Sequence, residues 1–100
     1  MRFIKRNTTP VPESVIQNVK KYLEEHNLGE FVEVRRASDH PSDDYIYHVI
    51  AKKGNSYSCW TSWNETTQSM NFGHYGLIYE ECDSVLKEYF HKISGANVID

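Results

Sequence analysis

One cysteine and two histidines near the middle of the chain could support nucleophilic chemistry. Cys59, His48 and His74 lie on three stretches rich in β-forming residues. A thiolate nucleophile needs an imidazole that lowers its pKa and a third group that orients the ring. The predicted strand pairing places His74 directly opposite Cys59, but on an apolar face, where a cysteine usually acts as a small hydrophobic residue. A thiol enzyme using Cys59 is therefore the third hypothesis, and we expect no enzymatic activity.

Two groups of side chains contain the residue types that bind metal ions. One group is Asp39, His40, Asp43 and Asp44, and the other is His48, Cys59, His74 and Cys82. Neither group has the spacing of a zinc site or of an EF-hand loop. The acidic group is most simply a solvated turn. We therefore expect neither a bound metal nor a cofactor.

Carboxylates are concentrated in one loop and at the start of the last predicted helix. They are Asp39, Asp43, Asp44, Glu80, Glu81 and Asp83. Such a set could imitate nucleic-acid phosphates and inhibit a nucleic-acid enzyme. The formal net charge of −3 is weak for this role, because mimicry depends on a strong local field. The second hypothesis is an acidic inhibitor of this kind.

Aromatic side chains give the leading hypothesis. Tyr45, Tyr47 and Trp60, with Asn71 beside them, fall on the sheet face that is predicted to stay uncovered. Aromatic residues supply large contact areas at low entropic cost, so they often anchor protein interfaces. We expect a protein-interaction module that binds a protein partner or a second copy of itself here. Trp60→Ala should then weaken the association by about 2 kcal/mol or more and leave the fold intact.

A three-stranded meander must position these residues. Gly54 and Asn55 suit a two-residue turn between the first two of its strands, because both tolerate positive φ. A polar loop, 65–68, joins the second strand to the third. The predicted cross-strand pairs are Lys53–Ser56, Ile50–Cys59, His48–Thr61 and Ile46–Trp63, followed by Trp63–Met70, Thr61–Phe72 and Cys59–His74.

Both hairpins predict the same apolar face. Its members are Ile46, Ile50, Cys59, Trp63, Met70 and Phe72. The opposite face then carries Tyr45, Tyr47, Val49 and Trp60 among Ser58, Ser62, Ser69 and Asn71. A slip of one residue in either turn would invert this assignment.

The flanking segments complete an α+β fold. An amphipathic helix is predicted from Pro12 to the glycine at position 29, followed by a strand over Glu30–Ala37. A second helix is predicted over Glu80–Ile93. The order is α-β-β-β-β-α: a four-stranded antiparallel meander with both helices packed on one face.

Length and charge limit the remaining possibilities. One hundred residues suit a single domain, 1–100, with an N-terminal arm over 1–11 and a frayed tail over 96–100. The chain has no apolar run long enough to cross a bilayer and no signal-peptide core, so we expect no membrane association and a cytoplasmic location. Two cysteines far apart in the sequence suit free thiols.

The helix–strand–helix order resembles that of double-stranded-RNA-binding domains, but only in topology. Those domains hold phosphate with basic residues at the start of their last helix. This chain has Glu80, Glu81 and Asp83 at that position, and these carboxylates would repel phosphate. We therefore expect no direct nucleic-acid binding.

Overall fold

The computed structural model describes residues 10–92 and shows one open sheet of four antiparallel strands with two helices. The elements are α1 (Glu13–Glu25), β1 (Glu30–Arg36), β2 (Ile46–Lys53), β3 (Ser56–Asn64), β4 (Ser69–Leu77) and α2 (Tyr79–Tyr89), with a 3-10 turn at Pro41–Asp43. The strands follow their chain order, β1-β2-β3-β4, so the sheet is a meander. The predicted α+β class and element order are confirmed. Most of the predicted arm and all of the predicted tail lie outside the described residues.

Both helices end earlier than their sequence patterns predict. Helix α1 buries Val15, Val19 and Leu23 and ends at Glu25, before the glycine predicted to stop it. Helix α2 ends at Tyr89 rather than at residue 93, because the backbone of Phe90 is extended with a ψ of 130°. Within residues 10–92, neither helix is long and apolar enough to span a membrane.

The two helices pack on opposite faces of the sheet. Val49 and Ala51 of β2 belong to a core cluster with the buried side of α1. Ile50, which lies between them, packs with Cys82 and Leu86 of α2. Successive side chains of a strand point to opposite faces. The prediction that both helices cover one face is therefore wrong.

Each helix lies over a different half of the sheet. Helix α1 is closest to β1, whereas α2 is closest to β3 and, to a lesser extent, β4. The helices are thus placed diagonally across the sheet. The two helices still reach the neighbouring strands: Met70 of β4 belongs to the α1 cluster, and α2 contacts Ile50 of β2 and, through Asp83, Arg35 of β1.

The hairpin of β2 and β3 has the predicted turn, but its register changes halfway along. Near the turn, Lys53 pairs with Ser56 and Ile50 pairs with Cys59, as predicted. Beyond an irregularity, Trp63 pairs with Tyr47 rather than with the predicted Ile46. Because β3 has one residue more than β2 within this interval, the irregularity is a β-bulge.

The bulge turns both tryptophans to the same side. Trp60 and Trp63 are three positions apart, and a regular strand would place them on opposite faces. Both instead belong to the core cluster beneath α1. The two intervening residues, Thr61 and Ser62, lie opposite His48. The predicted single apolar face is consequently divided, with Trp63 on the α1 side and Ile50 on the α2 side.

The hairpin of β3 and β4 keeps the predicted register around its loop. Trp63 pairs with Met70 and Cys59 pairs with His74. Phe72, which was predicted to be buried, has a φ of 61° and is 53% exposed. A φ near +60° is unusual for an aromatic residue. The edge strand β4 is therefore distorted at the position where the Phe72 side chain reaches solvent.

Candidate functional site

The structure separates the four residues of the predicted interaction face. Tyr47 and Trp60 are only 2% and 3% exposed and belong to the core beneath α1. The prediction that they form an uncovered surface is wrong, because α1 packs on the face that was assigned to solvent. Tyr45 and Asn71 are exposed. An exposed Tyr45 agrees with its predicted position, but its two aromatic neighbours are part of the core.

The indole of Trp60 links this core to the edge strand β4. Its Nε1 donates a hydrogen bond to Oη of Tyr75 at 3.2 Å, and the two rings meet edge to face with centroids 5.8 Å apart. Gly73 pairs with Trp60 across the strands. A Cβ at Gly73 would lie 2.7 Å from the indole Nε1, so only glycine leaves room for this contact. Tyr75 consequently covers Trp60 with one edge, while 63% of the residue remains exposed.

Three large apolar side chains are exposed along β4 and the residue that follows it. We call this set the β4 strip: Phe72, Tyr75 and Ile78, which are 53%, 63% and 56% exposed. The strand itself, Ser69–Leu77, contains no aspartate, glutamate, lysine or arginine. The sequence analysis missed the strip because it placed Phe72 in the core. The uncharged sequence of this strand was the available signal.

The other edge of the sheet has the opposite character. Strand β1 carries four charged residues among seven, and its pairing with β2 is irregular between Phe31 and Glu33. Charges and bulges on an edge strand discourage pairing with another chain. Strand β4 has an irregular backbone but no such charges. Of the two edges, β4 is therefore the better suited to contact another polypeptide.

An ion-pair network joins β1 to α2 on the α2 side of the sheet. Arg35 contacts Glu33 at 2.6 Å and Asp83 at 2.7 Å. Asp83 also contacts Lys87 at 2.9 Å, and the Tyr79 hydroxyl donates to Glu33. Hydrogen bonding to Lys87 and Arg35 lowers the pKa of Asp83, and hydrogen bonding to Arg35 lowers that of Glu33. Asp83 is thus surrounded by cations and adds little negative field.

The predicted acidic set does not form one patch. Glu81 lies in the first turn of α2, where its carboxylate accepts a hydrogen bond from the Ile78 backbone N–H at 3.0 Å. Asp39 lies 3.2 Å from His91, beyond the other end of the same helix. A helix of 11 residues is roughly 16 Å long. Of the six predicted acids, Asp39, Glu81 and Asp83 have structural partners, and Asp39 lies beyond the opposite end of α2 from Glu80.

A serine, a histidine and an aspartate connect the loop after β1 to the segment that follows α2. The sequence analysis did not identify this arrangement. Oγ of Ser38 lies 3.1 Å from Nδ1 of His91, and Asp39 contacts the other ring nitrogen. The Ser38 hydroxyl also accepts the backbone N–H of His40 at 3.0 Å, and the residue is 1% exposed. A nucleophile must be accessible to its substrate. This arrangement therefore serves to fasten the loop to the end of α2.

The environment of Cys59 does not support the third hypothesis, a thiol enzyme. Both Cys59 and Cys82 are fully buried between β3 and α2. Burial, with a further contribution from Cys82, raises the pKa of Cys59 to about 12, so the thiol stays protonated at neutral pH. Although His74 pairs with Cys59, its ring lies near Tyr89, with centroids 6.1 Å apart. Among residues 10–92, no three metal-binding side chains are grouped together.

Comparison with known proteins identifies one family. The family model described as large polyvalent protein associated domain 24 matches residues 14–81. The match begins within α1, includes the whole sheet and ends in the first turn of α2. Comparisons with curated proteins and with solved structures find no match.

Proposed function

Because the chain belongs to the large polyvalent protein associated domain 24 family, we propose that it is a protein-interaction module that associates through the β4 strip. The family description supports a role beside other protein modules. The observation that carries the proposal is the exposure of Phe72, Tyr75 and Ile78 on an uncharged edge strand. Apolar side chains concentrated on an unprotected edge are typical of surfaces that bind another polypeptide.

A second copy of the domain is the partner that fits this edge best. The commonest protein dimers are two-fold symmetric, so that the same patch contacts itself. Charged edges would repel each other in such a contact, but β4 has no charged residue to oppose its own copy. The strip contains three large side chains, so the contact is small. We expect a weak dimer, with a Kd of roughly tens to hundreds of micromolar.

The backbone geometry of β4 directs most of the association to side chains. Phe72 and Gly76 both have positive φ, at 61° and 71°. Only the three residues between them can present a regular extended edge to a partner strand. Tyr75 lies within this short segment, and its ring is held in place by Trp60. Tyr75 is therefore the central contact, flanked by Phe72 and Ile78.

Two substitutions can remove apolar surface without weakening the fold. Asn tolerates the left-handed backbone better than Phe does, so Phe72→Asn should relieve local strain. Ile78 occupies the N-cap of α2, where its own side chain makes no capping hydrogen bond; a serine hydroxyl can make one. The double variant Phe72→Asn/Ile78→Ser should thus be at least as stable as the parent but should not dimerise. Sedimentation equilibrium from about 10 μM to 1 mM measures the association.

The matched control is Tyr45→Ser, which removes an exposed aromatic residue outside β4 and should leave dimerisation unchanged. Loss of association in the double variant, with an unchanged urea midpoint, supports the proposal. A parent protein that stays monomeric at 1 mM contradicts it. So does a double variant that dimerises as strongly as the parent.

A further inference from the structure

A cavity lies on the α2 side of the sheet, between β1, β2 and the end of α2. Its volume is about 280 Å³, close to the lower limit of roughly 300 Å³ for small-molecule sites. It is lined by Arg35, Arg36, His48, Leu86, Lys87 and Phe90. Three of these six residues are cationic and none is acidic. The cavity thus combines apolar walls with a positively charged border.

His48 is the unusual member of this lining. It is 1% exposed, and its Nε2 has no hydrogen-bond partner among residues 10–92. Burial, followed by the nearby charge of Arg35, lowers its pKa to about 4, so the ring is neutral at pH 7. Buried polar atoms are nearly always hydrogen-bonded, so an unpartnered Nε2 on a residue that lines the cavity indicates a missing partner.

We infer that this cavity binds a small carboxylate that carries an apolar group. One carboxylate oxygen would accept a hydrogen bond from Nε2–H of His48, and the positive charge of Lys87 would face the ligand. The apolar part would contact Leu86 and Phe90. The β4 strip has no part in this site, so the inference is independent of the proposed dimer.

The ion pairs around the cavity favour a single negative charge. Arg35 is already held by Glu33 and Asp83, and Asp83 also holds Lys87. These carboxylates face the same side of the sheet and would oppose a multiply charged ligand such as phosphate. A neutral imidazole N–H can donate to a carboxylate without bringing a further charge into the interior. The apolar walls leave the rest of the ligand without polar partners.

Benzoate, benzamide and inorganic phosphate are suitable probes for the parent protein. Benzamide keeps the ring and the shape but lacks the charge. We expect benzoate to bind with a Kd of about 1 mM and to shift the ring nitrogen signals of His48 in NMR spectra. Benzamide and phosphate should bind at least tenfold more weakly. N-acetylphenylalanine distinguishes the source of the carboxylate, since tighter binding than benzoate indicates a polypeptide C-terminus and weaker binding a free acid.

Matched variants connect the binding to the cavity. His48→Gln keeps an N–H donor and should retain affinity within about threefold, whereas His48→Leu should lose at least tenfold. His26→Leu, at the exposed histidine that directly follows α1, should have no effect. Circular dichroism checks that each variant is folded. Saturable benzoate binding that depends on His48 supports the inference. The absence of saturation, equal binding of benzamide, or full affinity in a folded His48→Leu protein overturns it and leaves a cavity filled by water.

Discussion

Trp60→Ala is the substitution that most directly tests the assignment of the sheet faces. The side chain is 3% exposed, lies in the core beneath α1 and donates a hydrogen bond to Tyr75. Truncating a buried tryptophan to alanine costs about 3–5 kcal/mol, because apolar contacts are lost and a cavity remains. The lost hydrogen bond adds little, since the hydroxyl of the exposed Tyr75 can bind water instead. We expect a loss of about 4 kcal/mol from the free energy of unfolding.

Such a loss is large for a domain of this size. A total stability of about 5–15 kcal/mol is typical, so the variant loses between roughly a quarter and four fifths of it. Urea denaturation followed by far-UV circular dichroism measures the change. With a slope of about 1.2 kcal/mol/M, the midpoint should fall by about 3 M. Trp60→Phe is the matched control, because it keeps most of the apolar volume and should cost about 1–2 kcal/mol.

The opposite result would refute the assignment. If Trp60 were on an open face, Trp60→Ala would unfold at the parental urea concentration and would only weaken association. A variant with an unchanged midpoint therefore contradicts the burial of Trp60 and the covering of that face by α1.

Three further predictions concern the other face of the sheet. The pKa of His48 is about 4 in the folded protein, against an ordinary value of 6.5. Between these two pH values the unfolded chain binds more protons than the folded protein. Lowering the pH from 6.5 to 4 should therefore reduce the free energy of unfolding by up to about 3 kcal/mol. The urea midpoint should fall less between pH 7 and pH 4.5 in His48→Gln than in the parent protein. An equal fall in both proteins would contradict the prediction. Cys59 and Cys82 should react with an aromatic disulfide reagent only at the rate of unfolding; rapid labelling of the native protein would show that they are accessible. Arg35→Gln should cost about 1–2 kcal/mol because two partly exposed carboxylates lose their shared cation, and a neutral result in the same urea assay would count against the network.

The parts of the fold that depend on local chemistry could be predicted from the sequence. The turn at Gly54 and Asn55 requires positive φ, and this requirement correctly set the pairs nearest to it. The polar loop before β4 set the pairing of Trp63 with Met70 in the same way. The 3.6-residue spacing of Val15, Val19 and Leu23 identified the buried side of α1.

The division of the core could not be predicted because it depends on one extra residue in β3. The bulge at Thr61 and Ser62 leaves no signature in residue type, yet it brings Trp60 and Trp63 to the same face. Apolar residues occur on both sides of the strands, and this pattern is compatible with one covered face or with two. The periodicity of each helix shows that it is amphipathic but not which face it covers.

The candidate sites could not be predicted either, because they also depend on the tertiary structure. Exposure of Phe72 follows from a left-handed backbone at a residue type that rarely adopts it. The cavity at His48 depends on α2 ending at Tyr89, which leaves Phe90 beside the sheet. Both features are tertiary consequences, and neither is visible in the spacing of residues.

The chain order of the sheet has a consequence for how the domain folds. Every strand pairs only with its immediate neighbours along the chain, so each pairing closes a short loop. Proteins with such local pairings fold faster than those that join distant segments. During synthesis, each new strand can dock on the strand that was completed just before it. A domain built in this way can acquire its structure without waiting for distant parts of a long polypeptide.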